Sequence, residues 1–165
     1  MPSSKPIVGK NDLLSQRPDI ASEWDYERNY PLRPEQVVKG SGKKVYWLCS
    51  KGHSYQAMIA LRTKKNWNCP FCSGHQVLKG FNDLATTHPQ LLKEWDFEKN
   101  QEVSPYSLSQ GSNLKVWWKC DRGHSYQMIV ACKTQRNFGC PYCSGQHVWK
   151  GHNDLATTHP DLLRL

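Results

Sequence analysis

The sequence predicts a small α+β fold made of two tandem, metal-stabilised repeats, and three observations predict it. Cys49-Ser50-Lys51-Gly52-His53 is followed by Cys69-Pro70-Phe71-Cys72, and both half-motifs return 71 residues later as Cys120-Asp121-Arg122-Gly123-His124 and Cys140-Pro141-Tyr142-Cys143. A second run, Asn-Asp-Leu, recurs at the same interval from Asn11, Asn82 and Asn153. Units of about seventy residues bury too little apolar surface to offset their conformational entropy, so a metal staple is the expected remedy.

Each copy offers three thiols and one imidazole: Cys49, His53, Cys69 and Cys72, then Cys120, His124, Cys140 and Cys143. Such a set closes a tetrahedral zinc site and leaves no position for water or substrate, so two structural Zn2+ ions are expected. Seven cysteines are an odd count, and Met1-Pro2-Ser3-Ser4-Lys5 leads into no apolar signal core. Disulfides are therefore disfavoured, and the cytoplasm is the expected compartment. A redox C-P-x-C pair would need a βαβ pattern around it, and none is visible. Cys132 falls opposite Leu61 in the repeat register and reads as a small apolar side chain.

The formal charge is +8. Two sites of three thiolates each would lower the working value to about +6. Residues 9–79 hold 12 Lys+Arg against 6 Asp+Glu, and residues 80–150 hold 8 against 6, so the first repeat is the more basic. No apolar run approaches the length of a membrane span.

In chain order, residues 1–8 read as a flexible lead-in. Each Asn-Asp-Leu opens a short helical turn, with Asn as the N-cap and Asp in the first turn. Pro89 then starts a second turn, in which Leu91 or Leu92 and Trp95 share an apolar face, as Ile20 and Trp24 do earlier. Polar connectors pass Asn29 or Asn100 and lead through a tight Gly-Ser turn into Lys44-Val45-Tyr46-Trp47-Leu48 and Lys115-Val116-Trp117-Trp118-Lys119. These alternate as half-buried strands. Leu48 in one copy is Lys119 in the other, so that face tolerates charge; Val45, Trp47, Val116 and Trp118 point inward, and Tyr46 and Trp117 outward. Gly52 and Gly123 permit the bend that returns each histidine to the metal. Tyr55 to Arg62 and Tyr126 to Lys133 read as the second strands of the hairpins.

Repeat phase gives the expected domains: a capping helical segment at 9–30, zinc repeat 1 at 31–98 and zinc repeat 2 at 102–165. In this frame each unit runs hairpin, metal half-site, helix, which is the treble-clef order.

Asn82-Asp83-Leu84-Ala85-Thr86-Thr87-His88-Pro89, Glu94-Trp95-Asp96, Val116-Trp117-Trp118-Lys119-Cys120, Gly123-His124 and Cys140-Pro141-Tyr142-Cys143 together resemble the tandem treble-clef zinc-finger, or zinc-ribbon, repeat family of bacteria and viruses. The resemblance implies one zinc per repeat on the Cys, His, Cys, Cys set and a nucleic-acid-binding role, with some members appended to restriction-type endonuclease domains. The first copy, Asn11-Asp12-Leu13-Leu14-Ser15-Gln16-Arg17-Pro18, lacks the Ala-Thr-Thr-His run, so His88 and His159 read as turn residues and not ligands.

The expected function is non-catalytic, zinc-dependent binding of nucleic acid, DNA before RNA, in the service of a nuclease or a defence or phage system. Lys43, Lys44, Lys51, Arg62, Lys64 and Lys65, with Lys115, Lys119, Arg122, Lys133 and Arg136, are the candidate phosphate contacts, and Tyr46 and Trp117 the candidate stacking rings. The alternative is a protein-interaction or architectural module using aromatic patches, to which seven tryptophans lend weight. An HNH-type nuclease reading of His152, Asn153 and His159 fails on two counts: Phe81 and Lys10 replace His152 in the other copies, and a nuclease metal needs an open position.

Overall fold

A computed structural model describes residues 4–65 and 67–164. Residues 1–3 of the expected lead-in, and residue 165 of the expected second repeat, lie outside it. The chain divides into two compact units, Met1–Gln76 and Val77–Leu165.

In the first unit, Asp12 is the helix N-cap, one residue later than the Asn expected. Its carboxylate accepts the Ser15 N–H at 2.9 Å, the Ser15 hydroxyl at 2.6 Å and the Gly9 N–H at 2.6 Å. Asn11 instead ties down the incoming chain by accepting the Ile7 N–H. Helix α1 (Leu13–Gln16) stops at Arg17, because the residue before a proline is driven out of the helical region, and Pro18 opens α2 (Pro18–Ala21).

Strands β1 (Lys44–Leu48) and β2 (Ser54–Met58) form an antiparallel hairpin that sets Tyr46 opposite Gln56 and Trp47 opposite Tyr55. Leu13, Ile20, Ala21, Trp24, Val45, Trp47, Tyr55 and Ile59 make one core, in which Trp24 meets Trp47 edge to face with centroids 5.6 Å apart. Segment 23–25 also lines the free edge of β1, where the Leu48 N–H donates to Glu23 O at 2.6 Å and the Asp25 N–H to Tyr46 O at 3.2 Å. The Asn29 amide completes that edge, donating to Tyr46 O at 2.7 Å and accepting the Tyr46 N–H at 2.8 Å.

The second unit repeats this arrangement. Asp83 caps α4 (Leu84–Thr87), a 3-10 turn runs over Pro89–Glu94, and β3 (Lys115–Lys119) pairs with β4 (Ser125–Ile129). Trp95 and Trp118 meet edge to face at 5.4 Å.

Two expectations are corrected. The second strand of each hairpin ends at Met58 or Ile129, and the chain continues as α3 (Ile59–Lys65) or α5 (Val130–Gln135). The buried positions there, Ile59 and Arg62 or Val130 and Lys133, stand three apart, a helical spacing that the apolar content alone had concealed.

The domain frame also shifts. Residues 9–30 are not a spare cap, and Asn82 to Trp95 fall in the second unit: the first two Asp-Leu segments pack on the hairpins that follow them. The boundary lies after Gln76, not in the stretch between 98 and 102. The edge-to-face tryptophans and the backbone bonds to β1 and β3 fix this phase, which a repeat interval by itself leaves open. The third Asp-Leu segment, α6 (Leu155–Thr158) followed by a 3-10 turn over Pro160–Arg164, belongs to the second unit in chain order.

Candidate metal centres

The knuckle after β1 is built from backbone bonds: the Cys49 N–H donates to His53 O at 3.1 Å and the Gly52 N–H to Cys49 O at 2.8 Å. Gly52 takes φ 81°, a left-handed conformation that costs a glycine little. Cys120, Gly123 (φ 84°) and His124 repeat the turn with bonds of 3.0 and 2.8 Å. The second half-site is another tight turn, closed by Ser73 N–H to Cys69 O and by Ser144 N–H to Cys140 O, both 3.0 Å.

These turns bring Cys49, His53, Cys69 and Cys72 together, and likewise Cys120, His124, Cys140 and Cys143, with the donor atoms of each set within 4.8 Å of one another. Around one site Cys120 Sγ, Cys140 Sγ and Cys143 Sγ stand 3.3, 3.4 and 3.3 Å from His124 Nδ1, and Cys120 Sγ lies 3.8 Å from Cys143 Sγ. Around the other, Cys49 Sγ is 3.9 Å from Cys72 Sγ, and His53 Nδ1 is 3.3 and 3.7 Å from Cys72 Sγ and Cys69 Sγ. Tetrahedral zinc with ordinary Zn–S and Zn–N lengths sets about 3.8 Å between sulfurs and about 3.5 Å from sulfur to nitrogen. A disulfide would need about 2.05 Å. The residues present therefore fit zinc, bound through Nδ1.

The electrostatics agree. Burial raises the thiol pKa at Cys49 and Cys120, but backbone N–H groups of the knuckle outweigh it and hold both below the ordinary value. Burial, followed by the neighbouring thiols, pushes Cys72 and Cys143 up to about 11. Three thiolates this close repel one another, and a divalent cation removes the conflict. The buried Nε2 of His124 has no hydrogen-bond partner among the described residues; metal on Nδ1 leaves the ring proton on that atom. Cys132, expected as a small buried apolar side chain, is only half-buried, and it stands outside both sets. His88 lies at the end of α4, with Nδ1 3.1 Å from the Thr87 hydroxyl, also as expected.

The candidate nucleic-acid residues divide. Lys43, Lys44, Lys51, Lys64, Lys65, Lys115, Lys119, Arg122 and Arg136 are exposed. Tyr46 and Trp117 are half-buried on the outer faces of their hairpins, while Val45, Trp47, Val116 and Trp118 are inside. Arg62 and Lys133, only 3% and 5% exposed, are corrected: they are core ion-pair residues, not phosphate contacts. Arg62 pairs with Glu23 and Lys133 with Glu94 at 2.5 Å, each cation 5.7 Å from the ring centroid of Trp47 or Trp118. A long aliphatic stem and a partnered head let a cation lie in a core.

Two functional candidates were missed. Arg28 lies over the Tyr46 ring at 5.4 Å, and Lys99 over Trp117 at 4.2 Å. They occupy equivalent repeat positions, a signal the sequence did carry, although each stands 18 residues before its ring.

A family described as "Probable Treble clef zinc finger domain" matches the chain twice, over residues 20–75 and 91–146. Each match joins a cover turn to the hairpin and C-P-x-C that follow it. No curated protein matches the chain.

Proposed function

The chain belongs to the treble-clef zinc-finger family, and on that premise we propose that it is a non-catalytic nucleic-acid-binding module, DNA before RNA, acting for a nuclease or a defence or phage system. The observation that carries the proposal is a constellation made twice: an outward aromatic ring with a cation over it and lysines beside it. In one unit these are Tyr46, Arg28 and Lys44; in the other, Trp117, Lys99, Lys115 and Lys119. Cations draw in the phosphate backbone, and an aromatic ring stacks on an unpaired base whatever its sequence. Four protein ligands leave each zinc without an open position, which supports a scaffold role over hydrolysis.

Binding of single-stranded DNA, duplex DNA and RNA of one sequence over a salt series tests the proposal. Expected is an affinity that falls steeply with salt and is greatest for single-stranded DNA. Absence of binding at low salt defeats it and leaves the protein-interaction reading.

A further inference from the structure

An exposed tryptophan of the first unit takes no part in the constellation at Tyr46. Trp67, 56% exposed, stands between α3 and the C-P-x-C turn. It walls a cleft of about 480 Å3 together with Pro70 and His75, and Asn68, Ser73 and Gln76 line the rest. That volume is of the order a small ligand fills. Ser73 Oγ, 2.8 Å from His75 Nδ1 and 3.0 Å from Cys69 O, fixes the imidazole to the metal turn. An indole face with amide and hydroxyl groups beside it suits a nucleobase, which is flat and apolar on its faces and carries donors and acceptors on its edge.

The surroundings favour a polyanion. Lys64 and Lys65, both exposed, close α3 just before Trp67. Residues 36–76 hold 7 Lys+Arg and no Asp or Glu, and of those cations Arg62 is already paired in the core. The order of cation, one residue, exposed ring recurs in the second unit as Arg136 and Phe138, the ring there 47% exposed. The cleft also adjoins the face described above. Gln76 lines both it and the hollow beside Lys44 and Tyr46, so the two rings border neighbouring hollows of one unit.

We propose that the Trp67 cleft is a second base subsite, which takes an unpaired base of the same strand that stacks on Tyr46, with Lys64 and Lys65 on its phosphates. This rests on the nucleic-acid reading. A second copy of this chain is a poorer occupant, because it carries the same cations around the same cleft and docking cleft to cleft sets like charges together.

The test irradiates the zinc-loaded full chain with oligothymidylate containing iodouracil and maps the adducts by mass spectrometry. Expected are adducts on the peptide holding Trp67 as well as on that holding Tyr46. Trp67→Ala should weaken oligothymidylate binding by about tenfold or more while two zincs, the salt slope and duplex affinity stay unchanged, and Trp67→Phe should restore most of the loss. The cross-link is read on the unmutated chain, so it decides the matter even where a variant misfolds. Adducts at Tyr46 with none at Trp67 overturn the inference and leave the nucleic-acid reading standing, as does a folded Trp67→Ala chain that binds like the wild type. An equal loss for duplex DNA also overturns it. Absence of any wild-type binding at low salt defeats both. A concentration-dependent dimer that is lost on Trp67→Ala makes a second copy the occupant and overturns the proposal.

Discussion

The ammonium of Lys133 lies 2.5 Å from the carboxylate of Glu94, and one repeat earlier Arg62 meets Glu23 in the same place. Each pair ties the helix after a hairpin to the segment that covers the hairpin's tryptophan. Burial disfavours the charged Lys133, yet hydrogen bonds to Glu94 and Tyr126 outweigh it and raise its pKa.

Breaking this pair should affect folding and not binding. Lys133→Ala leaves Glu94 without its partner, and Glu94 is about a third exposed, so the expected loss is about 2–3 kcal/mol, below that of a fully buried pair. Urea unfolding of the zinc-loaded chain measures it. Among chains that remain folded, DNA affinity should be unchanged, whereas Lys119→Ala should lower it and flatten its salt dependence. A base whose folded pKa is raised contributes its full stability below its unfolded pKa, and that contribution disappears as pH rises through the folded value. Wild-type stability should therefore fall above about pH 10.4, and part of that fall should be missing in the variant.

Tyr46 and Trp117 should contribute to binding without holding up the fold. Trp117→Ala is expected to weaken single-stranded DNA binding by about 1–3 kcal/mol while leaving the salt slope unaltered. Equal losses for single-stranded and duplex DNA would contradict stacking on unpaired bases. Trp118→Ala, one residue along but facing the core, should cost about 3–5 kcal/mol of stability instead, read by thermal melting.

Zinc content should be two per chain, and Cys143→Ser should reduce it to one. Chelation should melt both units, since a closed structural site supplies folding energy directly. Binding must strip protons from the thiols, and those of Cys72 and Cys143 sit at about 11. Affinity should consequently fall as pH falls, with proton release measurable in a weakly buffered titration.

The cap at Asp83 gives a fourth check. Asp83→Ala removes the acceptor for the Thr86 N–H and should cost about 1 kcal/mol, measured by urea unfolding at neutral pH. Zinc content should stay at two.

The metal ligands were legible because coordination demands fixed residue types at fixed spacing. The inward strand residues were legible because comparing Leu48 with Lys119 showed which face tolerates charge. Arg62 and Lys133 were misread because a basic side chain with other cations a few residues on gives no sign that a glutamate 39 residues away will neutralise it. Arg28 and Lys99 reach their rings only after the chain has turned back through Asn29 or Asn100. The phase of the repeat was not recoverable from its period, since every starting point yields the same interval.

That phase bears on synthesis. The ribosome releases a cover segment first, the hairpin it must shield next, and the C-P-x-C half-site last. Each tryptophan therefore emerges after the leucines that will shelter it, and zinc closes the unit only once its final two thiols have left the exit tunnel. Once a unit is closed, the next segment to emerge is a short, capped Asp-Leu turn and not an unpaired strand open to strand-to-strand aggregation.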